Sequence, residues 1–334
     1  MPTDTRKSRS GIYETITNTI LAAIESNPGE PIMPWQRGGT RPVLPTNALT
    51  GQAYRGVNIL SLWVTALERG YCSGEFATLR QWNEKGATVR VMAEPCLRMD
   101  GEKASPIVFY REMTVAPDGA ATGNDAESER RFIARGYWVF AAEQVEGYAA
   151  TAALPPNPID RIATADAYFA STGAKIVIGG AQAYYRPSTD TIHMPDEARF
   201  VVPEARFQYD LPEARLRHDA PDCRSRTEAF YSVLGHEVTH WVGAPNRLNR
   251  DFGKRFGDEA YCFEEACAEL GACFLSARLG IASEPHPDHA RYIHHWLKVM
   301  KANPRAIFAA AAKAQEAVAY LDGLQPTSIE RAAA

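Results

Sequence analysis

No two cysteines in this chain are spaced as C-x-x-C, and no run of eighteen or more apolar residues occurs along it. The second absence excludes a membrane-spanning helix. A third concerns the N-terminus, where "MPTDTRKSRSG" is followed by "IYETITNTILAAIESN", an amphipathic stretch and not the continuous apolar segment of a secretory signal. The six cysteines, Cys72, Cys96, Cys223, Cys262, Cys267 and Cys273, are therefore expected to be reduced and mostly buried, in a cytoplasmic protein. A strong charge of one sign is also missing: the net charge is −4 over 334 residues. It is unevenly spread, with 13 Lys and Arg against 10 Asp and Glu in residues 1–111, and 23 against 30 beyond them. The balance permits a polyanion at the front and disfavours one at the back. What is present, 45% hydrophobic and 23% charged residues, is enough apolar material for two cores, and there is no internal repeat.

Apolar residues Ile12, Ile16, Ile20 and Ile24 step by four, which predicts an amphipathic helix broken at Pro28 and Gly29. A Pro/Gly-rich loop follows. "VNILSLWVTALERG" reads as a helix ended by Gly70, "ATLRQWNEKG" as a short helix, and "SPIVFYREM" as a strand. A first domain over 1–113 is expected. The small, polar "TVAPDGAATGNDAESER" predicts a linker or mobile loop over 114–131. A second domain over 132–325 follows, with strands in "GYWVFAAEQV" and "AKIVIGG", a helix in "NPIDRIATADAYFAST" and a hairpin in "AQAYYRPSTDTIHMP". From Asp222 to Tyr320 nearly everything reads as helix. The fold class is α+β in two domains, with a small sheet followed by helices in the second.

The chemistry is concentrated at His236-Glu237-Val238-Thr239-His240, an H-E-x-x-H. On a helix, histidines four apart share a face and reach one ion. Glu237 then stands beside the open coordination position, placed to take a proton from water. Two histidines do not complete a zinc site. The metzincin spacing would require a third at position 246, and Asn246 stands there, which rejects that class. Further on, "YCFEEACAELGACFL" carries Glu264, Glu265 and Glu269 in an otherwise apolar helix, where carboxylates are costly unless paired or metal-bound. The expected ligands of Zn²⁺ are His236, His240 and Glu265. Glu269 is expected to accept a hydrogen bond from a ligand histidine, and Glu264 is the substitute ligand.

An H-E-x-x-H followed by a glutamate on the next long helix resembles the gluzincin metallopeptidases. That resemblance implies a peptide substrate lying along an edge strand, here the hairpin from Ala181 to Met194, with Glu237 as general base. Tyr184, Tyr185, His193 and Tyr261 are eligible to stabilise the oxyanion. A closer resemblance is carried by "PWQRG", "LPTNALTGQAYRGVNILSLW", "GEKASPIVFY", "YWVFAAEQVEG", "AYYRPSTDTIHMP", "GHEVTHWVGAPNRLNRDFG" and "GDEAYCFEEACAELGACFL", in order from about residue 11 to 280. Together they resemble the ArdC family of antirestriction proteins. The resemblance implies a front domain that binds single-stranded DNA, joined to a zincin-like metallopeptidase domain, in proteins carried by conjugative plasmids. The chain departs from the family where "VMAEPCLRMD" separates Arg90 from Gly101.

Sequence-tolerant binding of a single strand needs aromatic faces for bases and cations for phosphates. Trp35, Arg37, Arg41, Tyr54, Arg55, Asn58, Arg80 and Trp82 are the candidates, and Asn47 could add a polar contact. Tyr54 and Trp82 suit a stacking face and a core position equally, whereas Trp63 sits on an apolar helix face and reads as core. Two other functions fit the same residues. One is a protein that coats single-stranded DNA around a structural or inactive zinc site. The other is a cytoplasmic zinc peptidase or toxin whose front domain recognises a protein.

Overall fold

The isoleucines at the front form one buried stripe. In the computed structural model they lie on α1 (Thr5–Glu25), with Ile12, Ile16, Ile20 and Ile24 each 9% exposed or less. The structure describes residues 5–26, 33–34, 43–90, 103–115, 129–150, 158–196, 199–200, 226–253, 259–281 and 289–326. Trp35, Arg37, Arg41 and the inserted segment 91–100 lie outside the described residues.

The chain divides into two compact units. The first contains residues 1–20, 45–54 and 58–151, and the second residues 21–44, 55–57 and 152–334. After α1 come β1 (Thr46–Asn47), α2 (Val57–Arg69), β2 (Glu75–Ala77), α3 (Leu79–Glu84) and β3 (Thr88–Val89). Gly70 ends α2 at φ 68°, a conformation that a Cβ would strain. Thr78 caps α3 in a box with Gln81. Next are β4 (Ser105–Val115), β5 (Glu129–Ala141) and β6 (Val145–Glu146). One sheet runs β1-β2-β5-β4, and β3 pairs with β6 in a second.

The register of β4 against β5, from Ser105↔Val139 to Val115↔Glu129, corrects the expected boundary. "GYWVFAAEQV", expected in the rear domain, supplies the end of β5 and the start of β6 in the first unit, which extends to Thr151. The expected linker 114–131 connects, and partly forms, the two strands of one antiparallel ribbon. Small polar residues serve a hairpin connection as well as a linker, so composition alone misplaced the boundary.

The second unit opens with α4 (Pro158–Ala170) and a three-stranded sheet of β7 (Lys175–Ile178), β8 (Tyr184–Arg186) and β9 (Thr191–Met194). β9 is central, with β7 parallel on one side and β8 antiparallel on the other. The β8–β9 turn places Asp190 at φ 48°. Four helices follow: α5 (Arg226–Val242), α6 (Glu259–Leu279), α7 (His289–Ala302) and α8 (Ala306–Gly323). α6 is buried without interruption from Glu264 to Ser276, as expected of a helix with apolar residues all round. This is the α+β, two-domain architecture expected. Cys262, Cys267 and Cys273 are buried thiols outside any disulfide, and Cys72 is exposed. No helix among the described residues is long and apolar enough to cross a membrane.

Candidate metal centre

Phe230, Val233, Leu234, Val238 and Trp241 are all buried and fix the rotation of α5. That rotation turns His236 and His240 towards α6. Their Nε2 atoms face each other at 3.1 Å. Glu265 meets both: its Oε2 lies 3.4 Å from His236 Nε2 and its Oε1 3.8 Å from His240 Nε2. One ligand atom from each of the three lies within 4.8 Å of the others.

The other ring nitrogens are also held. His236 Nδ1 is 3.2 Å from Glu269 Oε2, the position expected for Glu269. His240 Nδ1 is 3.0 Å from Glu264 Oε1. Glu264 is therefore not the substitute ligand but the orienting partner of the second histidine. It is clamped by Arg250, whose Nε and Nη2 donate to its two oxygens at 2.8 and 2.7 Å. Arg250 Nη2 also donates to the Thr239 carbonyl at 2.6 Å. Arg250 was not foreseen: it lies in the loop after α5, and a lone loop arginine carries no spacing signal.

The donor set fits a small divalent cation. Nitrogen ligands about 2.0–2.1 Å from one zinc ion stand a little over about 3 Å apart in a tetrahedron, the separation that the two Nε2 atoms show. The electrostatics agree. Burial opposes the charged form of His240, but Glu264 and Glu265 outweigh it and raise its pKa to about 9. His236, opposed by the same burial, is raised well above its usual value by Glu265 and Glu269. Burial pushes Glu265 up, yet the two histidines hold it far below the usual carboxylate range. Glu264 is likewise lowered against its burial by Arg250 and His240. Ionised carboxylates this deeply buried require positive charge among them.

The three candidate ligands and Glu237 line a cavity of about 280 Å³, together with Ala183, Tyr184, Tyr185 and Pro187 from the β8 hairpin and Tyr261 from α6. The hairpin is anchored by Arg247. Its Nη1 donates to Asp190 Oδ2 at 3.0 Å, and its Nη2 donates to Tyr185 Oη at 3.2 Å. Its Nε donates to the Trp241 carbonyl at 2.6 Å, and its guanidinium covers the Trp241 ring at 3.9 Å. Tyr185 donates to Asp190, and burial with that carboxylate raises its pKa to about 12. Tyr184 stacks on His193 with ring centroids 4.6 Å apart. Of the four candidates for the oxyanion, Tyr185 is committed to Asp190 and His193 is not in the cavity wall. Tyr184 and Tyr261 remain.

Three of the candidate DNA contacts in the front unit are structural. Trp82 is 0% exposed and its Nε1 donates to the Phe140 carbonyl at 3.0 Å. Tyr54 is buried and donates to the Phe76 carbonyl at 3.1 Å. The Asn58 side chain donates to the carbonyl of Val108 and accepts from its N–H, both at 2.8 Å. None presents a free face or amide to a nucleic acid. Trp63 is core, as expected. Asn47 accepts from the N–H groups of Leu49 and Thr50 in its own turn. Arg55 is exposed, and so is Arg80, which pairs with Glu84 at 2.9 Å.

Comparison with known proteins follows the same division. Residues 10–140 match the family described as the N-terminal domain of anti-restriction factor ArdC, and residues 163–313 match the family described as zincin-like metallopeptidase. The chain is 39% identical over 333 residues to the uncharacterized protein y4eC of Sinorhizobium fredii, covering 97% of this chain and 96% of that protein. It is 30% identical over 325 residues to a DNA primase TraC of Escherichia coli, covering 91% of this chain but 26% of the primase. The metal-free crystal structure of the antirestriction ArdC protein from plasmid R388 aligns with a TM-score of 0.68 at 32% identity, covering 94% of this chain and 97% of that one. The Mn(II)-bound structure of the R388 protein aligns with a TM-score of 0.65 at 32% identity, covering 95% and 98%. Similarity this extensive, with both units matched in order, shows that the chain belongs to the ArdC family of antirestriction proteins.

Proposed function

We propose that this chain binds single-stranded DNA through its front unit and hydrolyses a peptide bond of a protein with its rear unit, as a zinc-dependent antirestriction factor. The observation that carries the peptidase reading is the convergence of His236, His240 and Glu265 beside Glu237, in a cavity walled by the edge strand β8. Two imidazoles and one carboxylate are a usual donor set for catalytic zinc, although the R388 relative also exists in a Mn(II)-bound form. A bound cation would polarise the scissile carbonyl and lower the pKa of water.

The remaining work falls to the chain's own groups. The Glu237 carboxylate takes the proton of the attacking water and passes it to the leaving amine. Among the described residues β8 has a neighbour strand only on its β9 side, so an extended substrate can pair along the other. Tyr261, whose side chain also lines the cavity, would donate to the developing oxyanion. Glu269 and Glu264 hold the two imidazoles in the orientation that leaves each Nε2 facing the site.

Glu237→Gln is the direct test. Zinc content, read by metal analysis of the purified protein, is expected to stay unchanged. Cleavage of quenched fluorescent peptides is expected to fall by about 10²- to 10⁴-fold, with oligonucleotide binding intact. Cleavage that survives the substitution would remove Glu237 from the reaction.

A further inference from the structure

Four rings of the β4–β5 ribbon are exposed, Phe109 and Tyr137 on one face and Tyr110 and Trp138 on the other. Phe109 is 51% exposed and Tyr137 38%, and they pack edge to face with centroids 5.6 Å apart. The register pairs Phe109 with Arg135 and Ile107 with Tyr137, so strand alternation puts Phe109, Arg135 and Tyr137 on one face of the β4–β5 ribbon. Ile107, also on that face, is buried, so the face leaves the core at the ring pair. Arg135 is exposed and makes no ion pair among the described residues. The next positions of the same parity are Arg111 and Met113 on β4, paired with Ile133 and Arg131 on β5.

The opposite face, on which Tyr110 and Trp138 are also exposed, is partly taken up by α1 and has no exposed arginine among its described side chains. Gly136 lies against α1 so closely that an added Cβ would come within 3.1 Å of Ile12 Cγ1. Tyr110 of that face accepts from Tyr13 of α1 at 3.3 Å. The two strands carry Arg111, Arg130, Arg131 and Arg135 against Glu112 and Glu129. A contiguous pair of exposed rings with an exposed arginine on the same face signals a ligand that is both flat and anionic.

We infer that this face of the β4–β5 ribbon is the stacking platform for single-stranded DNA, with Phe109 and Tyr137 carrying unstacked bases and Arg135 a phosphate. Paired bases in a duplex are already stacked on each other, so exposed rings select single strands. The platform supplies the aromatic faces that Tyr54 and Trp82, buried in the core, do not. The inference rests on the reading of the front unit as a binder of single-stranded DNA.

The test uses the full chain and a labelled oligothymidine, followed by fluorescence anisotropy over a series of salt concentrations. The double variant Phe109→Leu/Tyr137→Leu keeps apolar bulk and removes the π faces. It is expected to weaken binding by about ten- to a hundredfold, while Phe109→Trp retains the affinity. Arg135→Gln is expected to flatten the log–log salt dependence by about 0.7. Because Arg135 is exposed, this second readout stands even where the leucines lower the melting temperature. Wild-type affinity in the double variant, with an unchanged salt slope in Arg135→Gln, would overturn the platform and leave the front unit binding DNA elsewhere. A wild-type chain that does not bind the oligonucleotide would overturn the single-strand reading itself, and the platform with it. The ring pair would then be a protein-binding patch.

Discussion

Each candidate ligand histidine has its own carboxylate, Glu269 on His236 and Glu264 on His240, and the two carboxylates are differently supported. Glu264 also neutralises Arg250, whose side chain is 5% exposed. Glu269→Gln is expected to weaken metal binding by about 10- to 100-fold, measured by competition with a chromophoric chelator. Unchanged affinity would mean that packing alone orients His236. Glu264→Ala is harsher because it leaves a buried guanidinium without its carboxylate, at a cost of about 3–5 kcal/mol, or roughly 6–20 °C in melting temperature. A drop of a degree or two would show that Arg250 finds another partner. At this scale the sequence was most legible where a fixed spacing meets a fixed helix geometry, as at His236, Glu237 and His240. Glu264 and Glu265 differ by one position, which rotates a side chain by about 100° around α6, and apolar residues on every side of that helix left its orientation open. Tyr54 and Trp82 were undecidable for a related reason. A ring beside a glycine-rich turn serves a core or a surface equally until its neighbours are known.

The candidate metal site spans two helices, so it depends on how closely α5 and α6 approach. The helices approach closely at Gly271, where an added Cβ would meet Thr239 Oγ1 at 2.5 Å and Cγ2 at 2.6 Å. Thr239 is buried and β-branched, and its hydroxyl donates to the Gly235 carbonyl at 2.7 Å, so it has little freedom to yield. Gly271→Ala gains about 1 kcal/mol of helix propensity and incurs an overpacking cost of about 1–3 kcal/mol. The cost is expected to win, lowering the melting temperature and the metal affinity together as Glu265 and Glu269 move away from the histidines. In a Thr239→Ala background the same substitution is expected to be neutral or stabilising. Equal effects in both backgrounds would show that the helices do not meet through this pair. Element by element, the helices and the longer strands were legible from periodicity, but the two- and three-residue strands β1, β2 and β3 were too short to show one. The partner of β5 was not legible, because alternation says that a strand has two faces without saying which strand lies beside it.

All three candidate ligands come from α5 and α6 of the rear unit, and the ring platform belongs to the first unit. The two-part plan was legible from the order of the elements. The boundary was not, because a 13-residue strand returns the chain from a polar stretch to the unit it had just built. A ligand that binds the folded state stabilises it by RT ln(1 + [L]/Kd), about 2.7 kcal/mol at a hundredfold excess over Kd. Calorimetry of the full chain is therefore expected to show the rear unit melting roughly 5–10 °C lower in chelator than in zinc. Oligonucleotide affinity, measured under the same two conditions well below that transition, is expected to be unchanged. A chelator that alters DNA affinity would reveal coupling between the sites. Linkage then requires the oligonucleotide to change metal affinity by the same factor, so a zinc titration with and without DNA would confirm it.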